Sequence, residues 1–155
     1  MVRWKEMIKN SDLKLIAYLR KNARQTLTEI SKKTRIPIST LYDKLRLHEK
    51  SLILKHTTLL DFARLGFNCR ANILLKAERE ERDKLGSYLK AHPAINNLYK
   101  INNGFDFLAE GVFANVKELE DFVDVLEKNF PINEKKMHYV IEDLKREEFM
   151  PVEVA

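Results

Sequence analysis

The sequence predicts an α+β chain: an N-terminal three-helix, winged helix-turn-helix unit followed by a ferredoxin-like βαββαβ sheet unit. Three observations predict it. Three short runs between residues 11 and 50 carry apolar residues at helical spacing, and Pro37 separates the last two. From Phe67 onward the period changes, and the segments read strand, helix, strand, strand, helix, strand. The charge divides in the same place. Residues 1–60 hold 14 Lys/Arg against 5 Asp/Glu, a net of +9, whereas residues 61–155 hold 14 against 18, a net of −4. The expected division is therefore a helical module over 1–51, a linker strand and crossover over 52–65, and a sheet module over 66–155.

The first helix is expected over about 12–22, with Leu13, Ile16 and Ala17 on one face and Ser11 as its N-cap. The second opens on a capping box: Thr26 can accept from the backbone three residues on, and Glu29 can reach back to the Thr26 N–H. Its inner stripe is Leu27, Ile30 and Thr34. "RIPI" ends it, because Pro37 disfavours helical geometry at Ile36. The third helix, from about 38 to 50, gathers Ile38, Leu41, Tyr42 and Leu45 on one face. "LILKHTTLL" then reads as a wing or a linker strand. Trp4, ahead of the first clear helix, is expected to pack rather than to act as an arm.

In the second module, Phe67, Cys69, Ala71, Ile73 and Leu75 alternate with more polar neighbours and predict a half-buried strand. "EREERDKLGSYLKAHP" predicts a helix with Leu85, Tyr88 and Leu89 inward, and its charges form a solvated face. "AINNLYKIN" and "FDFLAEGVF" predict two strands joined by an "NNG" turn. The second of these strands places Phe105, Phe107, Ala109, Gly111 and Phe113 on one face. "NVKELEDFVDVLEKNF" predicts a helix with Val116, Leu119, Phe122, Val123 and Leu126 inward, and "EKKMHYVIED" a last strand. Leu74, Leu108, Val112 and Val140 also give the opposite sheet face an apolar character, so sheet-to-sheet dimerisation is the simplest cover for it.

Several function classes find no support in the residues. His48, His56, His92 and His138 show no metal-ligand spacing, and no cysteine or carboxylate cluster joins them. No phosphate-cradling glycine loop and no nucleophilic-hydrolase motif occurs, so no enzyme, metal or cofactor is expected. No run of eighteen apolar residues suggests a membrane span, and "MVRWKEMIKN" lacks the apolar core of a secretion signal. The single cysteine, Cys69, fits a reducing cytoplasm and a buried strand position.

What the first module does implies double-stranded DNA as a partner. A helix-turn-helix sets its last helix in the major groove, N-terminal residues first. Ser39, Thr40 and Tyr42 stand near that end, and Lys44 and Arg46 follow as the main candidates for phosphate or guanine contact. Lys32, Lys33 and Arg35 suit backbone contact on the approach, and Arg24 and Gln25 lie beside the second helix's N-terminus.

The order and spacing of these elements, from about Asp12 to Glu148, resemble the Lrp/AsnC family of leucine-responsive, feast/famine transcription regulators. "NARQTLTEISKKTRIPIST" is similar to that family's helix-turn-helix, "LILKHTTLLDFARLGF" to its linker strand and crossover, and residues 67–142 to its amino-acid-sensing domain. The resemblance implies a homodimer that assembles into higher even-numbered oligomers, palindromic DNA, and an amino-acid effector held between dimers. The effector loop it implies is "INNGFDF", with Asn103, Gly104, Phe105 and Asp106 as site residues. There, backbone N–H groups would hold the effector's carboxylate and Asp106 would accept from its ammonium group. The chain departs from the family pattern twice. Asn103 takes the usual glycine position of the loop, with Gly104 after it. Ser51 replaces the glycine before the linker strand, which predicts a differently bent corner. Two other readings stay open on the residues: an architectural DNA-binding protein with little sequence preference and no effector, and a small-molecule module whose helix-turn-helix is vestigial.

Overall fold

The computed structural model describes residues 8–150. Trp4 lies outside the described residues. The chain divides into two units, residues 60–144 forming one and the flanking segments the other.

The helical unit contains α1 (Asn10–Lys21), α2 (Leu27–Thr34) and α3 (Ile38–Glu49). Leu15, Ile30 and Leu41, one from each helix, are fully buried and meet with Tyr18 and Leu19 in a small core. Leu27, Ile36, Leu45 and Ile53 close its edges. Ser11 is not the cap of α1. The helix begins two residues earlier, at Asn10, with Lys9 at the cap position and no side-chain cap bond. Its first-turn carboxylate, Asp12, turns inward instead.

The predicted strand after α3 is absent among the described residues: residues 53–61 form no helix or strand. A strand needs an edge to pair with, and Leu54, Leu59 and Leu60 stay exposed here. The corner before this segment needs no left-handed residue. The carbonyl of His48 accepts from the N–H groups of Ser51, Leu52 and Ile53, and Ser51 Oγ donates to the Leu47 carbonyl at 2.9 Å. The segment from Lys145 to Met150 groups with this unit. Arg20 of α1 holds it, donating from Nε to the Phe149 carbonyl (2.6 Å) and from Nη2 to Glu147 (2.8 Å).

The sheet unit contains β1 (Cys69–Ala77), α4 (Arg82–Ala91), β2 (Ile95–Lys100), β3 (Phe107–Phe113), α5 (Val116–Asn129) and β4 (Ile132–Tyr139). The spatial order is β2-β3-β1-β4, antiparallel throughout. This is the predicted split βαβ arrangement. Alternation along β1 buries Cys69, Ala71, Ile73, Leu75 and Ala77, and along β3 it buries Phe107, Ala109, Gly111 and Phe113. These pack with Leu85, Leu89, Leu119, Phe122, Val123 and Leu126 of the two helices. Asn115 caps α5 by accepting from the Glu118 N–H at 3.0 Å. Val116, predicted inward, is 51% exposed because it opens the helix one turn before the packed stripe begins. Phe105 falls outside β3 and lies under the Lys136 ammonium, 5.1 Å from the ring centre.

The other sheet face holds Leu74 opposite Leu108, with Val112 opposite Arg70. Around this apolar patch runs a polar network. Arg70 pairs with Asp143 and lies 3.2 Å from Glu110, and Glu110 accepts from Asn97. Its carboxylate neighbours raise the Arg70 guanidinium's affinity for its proton further, the Asp143 hydrogen bond leading, against the opposing effect of burial.

Candidate nucleic-acid interface and loop site

The turn between α2 and α3 is built from side chains. The capping box forms as predicted: Thr26 Oγ1 accepts from the Glu29 N–H (3.2 Å) and Glu29 accepts from the Thr26 N–H (3.0 Å). At the other end Arg35 takes a left-handed conformation, φ 59°, without being glycine. Hydroxyls stitch that corner: Ser31 Oγ donates to the Ile36 carbonyl at 2.6 Å, and Thr34 Oγ1 to the Ile30 carbonyl at 2.7 Å. Pro37 then starts α3, and its carbonyl receives the Leu41 N–H.

This corner fixes which side of α3 faces outward. Leu41 and His48 are buried and Leu45 half-buried. Opposite them, Ser39, Tyr42, Asp43 and Arg46 form an exposed stripe at positions i, i+3, i+4 and i+7. Tyr42, which helical spacing grouped with the core, is 52% exposed and carries the Arg46 guanidinium over its ring at 5.8 Å. The stack holds an otherwise mobile cation in place. Thr40 is exposed beside the stripe, and Lys32, Lys33 and Arg35 are exposed around the corner. Lys33 lies 5.5 Å over the ring of Tyr18, which anchors its stem to α1. Arg24 is also exposed and Gln25 half-buried.

Lys44 is the departure. Its Nζ lies 2.7 Å from Asp12 Oδ1, and its side chain is only 18% exposed. His48 Nε2 approaches the same oxygen at 3.1 Å. Burial pushes the Asp12 carboxyl up, but the hydrogen bonds and charges of Lys44 and His48 outweigh it and hold the group below the usual carboxylate value. Sequence reasoning missed Asp12 and His48. The available signal was the i, i+4 spacing of Lys44 and His48 on one side of α3.

In the sheet unit, the β2–β3 connection uses two consecutive left-handed residues, Asn103 at φ 63° and Gly104 at φ 100°. Asn-Gly is the pair that tolerates this turn best, so the departure from the family pattern still yields a tight loop. Ile101 N–H closes it on the Asp106 carbonyl at 2.9 Å. Asn103 and Gly104 are exposed and Phe105 half-buried. Asp106 does not join them. It is buried, with Oδ2 accepting from the Ala77 N–H (3.0 Å) and Oδ1 2.9 Å from Arg82 Nε. Both carboxylate oxygens are thus committed to tying the start of β3 to the end of β1 and the start of α4.

A helix-turn-helix with an exposed stripe on its last helix, joined in sequence to a βαββαβ sheet unit, defines a class of two-module regulators. Residues 8–46 match the model of winged helix-turn-helix DNA-binding domains, and residues 70–149 match that of the Lrp/AsnC ligand binding domain. The chain belongs to the Lrp/AsnC family. Among its relatives, the HTH-type transcriptional regulator FL11 of Pyrococcus furiosus is 32% identical over 116 residues, 74% of this chain and 77% of that one. The glutamate uptake regulatory protein of Zymomonas mobilis is 22% identical over 91% of this chain and 88% of its own. A transcriptional regulator of Neisseria meningitidis, solved as a complex with L-Met, shares the fold. Its TM-score is 0.83 at 18% identity, over 90% of this chain and 93% of that one. No helix among the described residues is long and apolar enough to cross a membrane.

Proposed function

We propose that this chain is a cytoplasmic, sequence-specific transcription regulator that sets α3 in the major groove of double-stranded DNA and has no enzymatic role. One observation carries the reading: the outward stripe of Ser39, Tyr42, Asp43 and Arg46, on a helix whose opposite side is locked into a core. Arg46 stacked on Tyr42 suits base-edge contact, and Ser39 and Thr40 suit phosphate or base contact near the helix N-terminus. Lys32, Lys33 and Arg35 supply sequence-independent attraction.

The sheet unit carries assembly and regulation in this reading. Its apolar face supports a homodimer and higher even-numbered oligomers. The Asn103–Phe105 loop supports a small amino acid, whose carboxylate would meet backbone N–H groups; the Neisseria relative in complex with L-Met favours that class. Asp106 supports the loop's shape rather than the ligand's ammonium group.

Fluorescence anisotropy on a pool-selected and a scrambled duplex, across a salt series, tests the reading. Selectivity of about a thousandfold with a steep salt slope is expected. Arg46→Ala should cost about 1–3 kcal/mol on the selected duplex and relax selectivity. Lys32→Ala should weaken both duplexes alike. Equal affinity for both duplexes in the unsubstituted protein would instead favour an architectural role. An amino-acid panel on the selected complex then tests the loop.

A further inference from the structure

The Asp12–Lys44–His48 cluster fastens α3 to α1 at the back of the recognition helix. We propose that Asp12 is a positioning residue that takes Lys44 out of the phosphate-binding set and so lowers the chain's non-specific affinity for duplex DNA. The inference rests on the DNA-binding reading above.

Lys44 occupies a boundary position on α3. One turn away on one side, Thr40 and Leu47 are exposed; on the other side, Leu41 and His48 are buried. A lysine at such a boundary ordinarily runs its stem along the apolar edge and lifts its ammonium into water. Here the ammonium turns inward to Asp12, at 2.7 Å, and loses most of its exposure. Asp12 is itself 7% exposed, so the attraction acts away from bulk water. His48 gives Asp12 a second donor on the same oxygen and fixes the carboxylate's direction. The pair is neutral as a unit. A helix that shows hydroxyls and Arg46 to the groove therefore offers one fewer cation than its sequence contains.

Removing the Asp12 charge reverses this. An ammonium left without its carboxylate in a largely buried site is disfavoured, and the flexible lysine stem allows the group to leave. Released beside Thr40 and Leu47, it stands where a phosphate contact can form. Each phosphate neutralised adds about 0.9 to the slope of log K against log salt.

The experiment measures binding to a scrambled duplex across a salt series for the full chain, Asp12→Asn, Lys44→Met and the double variant. Thermal melts confirm that each is folded. Asp12→Asn should steepen the slope by about 0.9 per bound protomer and tighten binding roughly eightfold near 0.1 M salt. Lys44→Met and the double variant should keep the original slope. An unchanged slope in folded Asp12→Asn overturns the inference, as does a steeper slope that survives in the double variant. Should Asp12→Asn fail to fold, Lys44→Met decides alone, since Asp12 there keeps His48: a slope lowered by about 0.9 would mean that Lys44 already touches phosphate. If the unsubstituted protein fails to bind at low salt, the DNA-binding reading itself falls. Binding with no dependence on Asp12 overturns the inference alone.

Discussion

His92 ends α4 with its ring 4.7 Å from that of Phe122 and 5.7 Å from that of Tyr88, while Nδ1 accepts from the Ala94 N–H. That acceptor role requires the neutral ring, and burial holds its pKa below the ordinary histidine value. The unfolded chain binds the proton more readily, so stability is full above about pH 6.5 and falls as pH drops through the lower folded value. Urea midpoints measured from pH 7.5 to 5 should show this decline, and His92→Phe should flatten it. The side-chain partners themselves were hidden from sequence reasoning. Asp106 reads as an effector residue of the loop because the Ala77 N–H and Arg82 that hold it lie far upstream in the chain. Asp12 drew no role from the sequence for the same reason: Lys44 is 32 residues away. Burial of a charged group depends on a tertiary partner, and no local pattern announces it.

Local devices were legible. The α2 capping box needs only Thr26 and Glu29, three residues apart, and both of its bonds form. Thr26→Ala should cost about 1 kcal/mol and Thr26→Asp much less, read as shifts in the chemical-denaturation midpoint. The period change at β1, the inward stripe of α5 and the Pro37 break were legible because each follows from side-chain spacing alone. Elements that depend on a neighbour were not. The segment after α3 has strand-forming residues but no edge to join among the described residues. Tyr42 and Lys44 exchanged their expected sides of α3 because a ring can lie under Arg46 and an ammonium can be drawn to Asp12.

For the molecule as a whole, the sheet unit presents Leu74, Leu108 and Val112 on the face away from its helices, ringed by Arg70, Glu110 and Asn97. An apolar centre inside a polar rim suits a self-complementary contact between copies. Leu74→Glu should therefore shift the mass in analytical ultracentrifugation toward the monomer, with the secondary structure retained. A mass unchanged at micromolar concentration would remove this face from the assembly. The alternation that produces it was legible in the sequence, whereas the Arg70–Glu110 rim required the register of β1 against β3.

The grip of Arg20 on Glu147 and Phe149 has a topological consequence. Its partners are separated by 127 and 129 residues, so the helical unit is discontinuous and the whole sheet unit is an insertion within it. Closing so long a circuit costs chain entropy, but the cost grows only logarithmically with length. A single cut between residues 60 and 144 would leave the two pieces of the helical unit on separate fragments, and their reunion would become a bimolecular event.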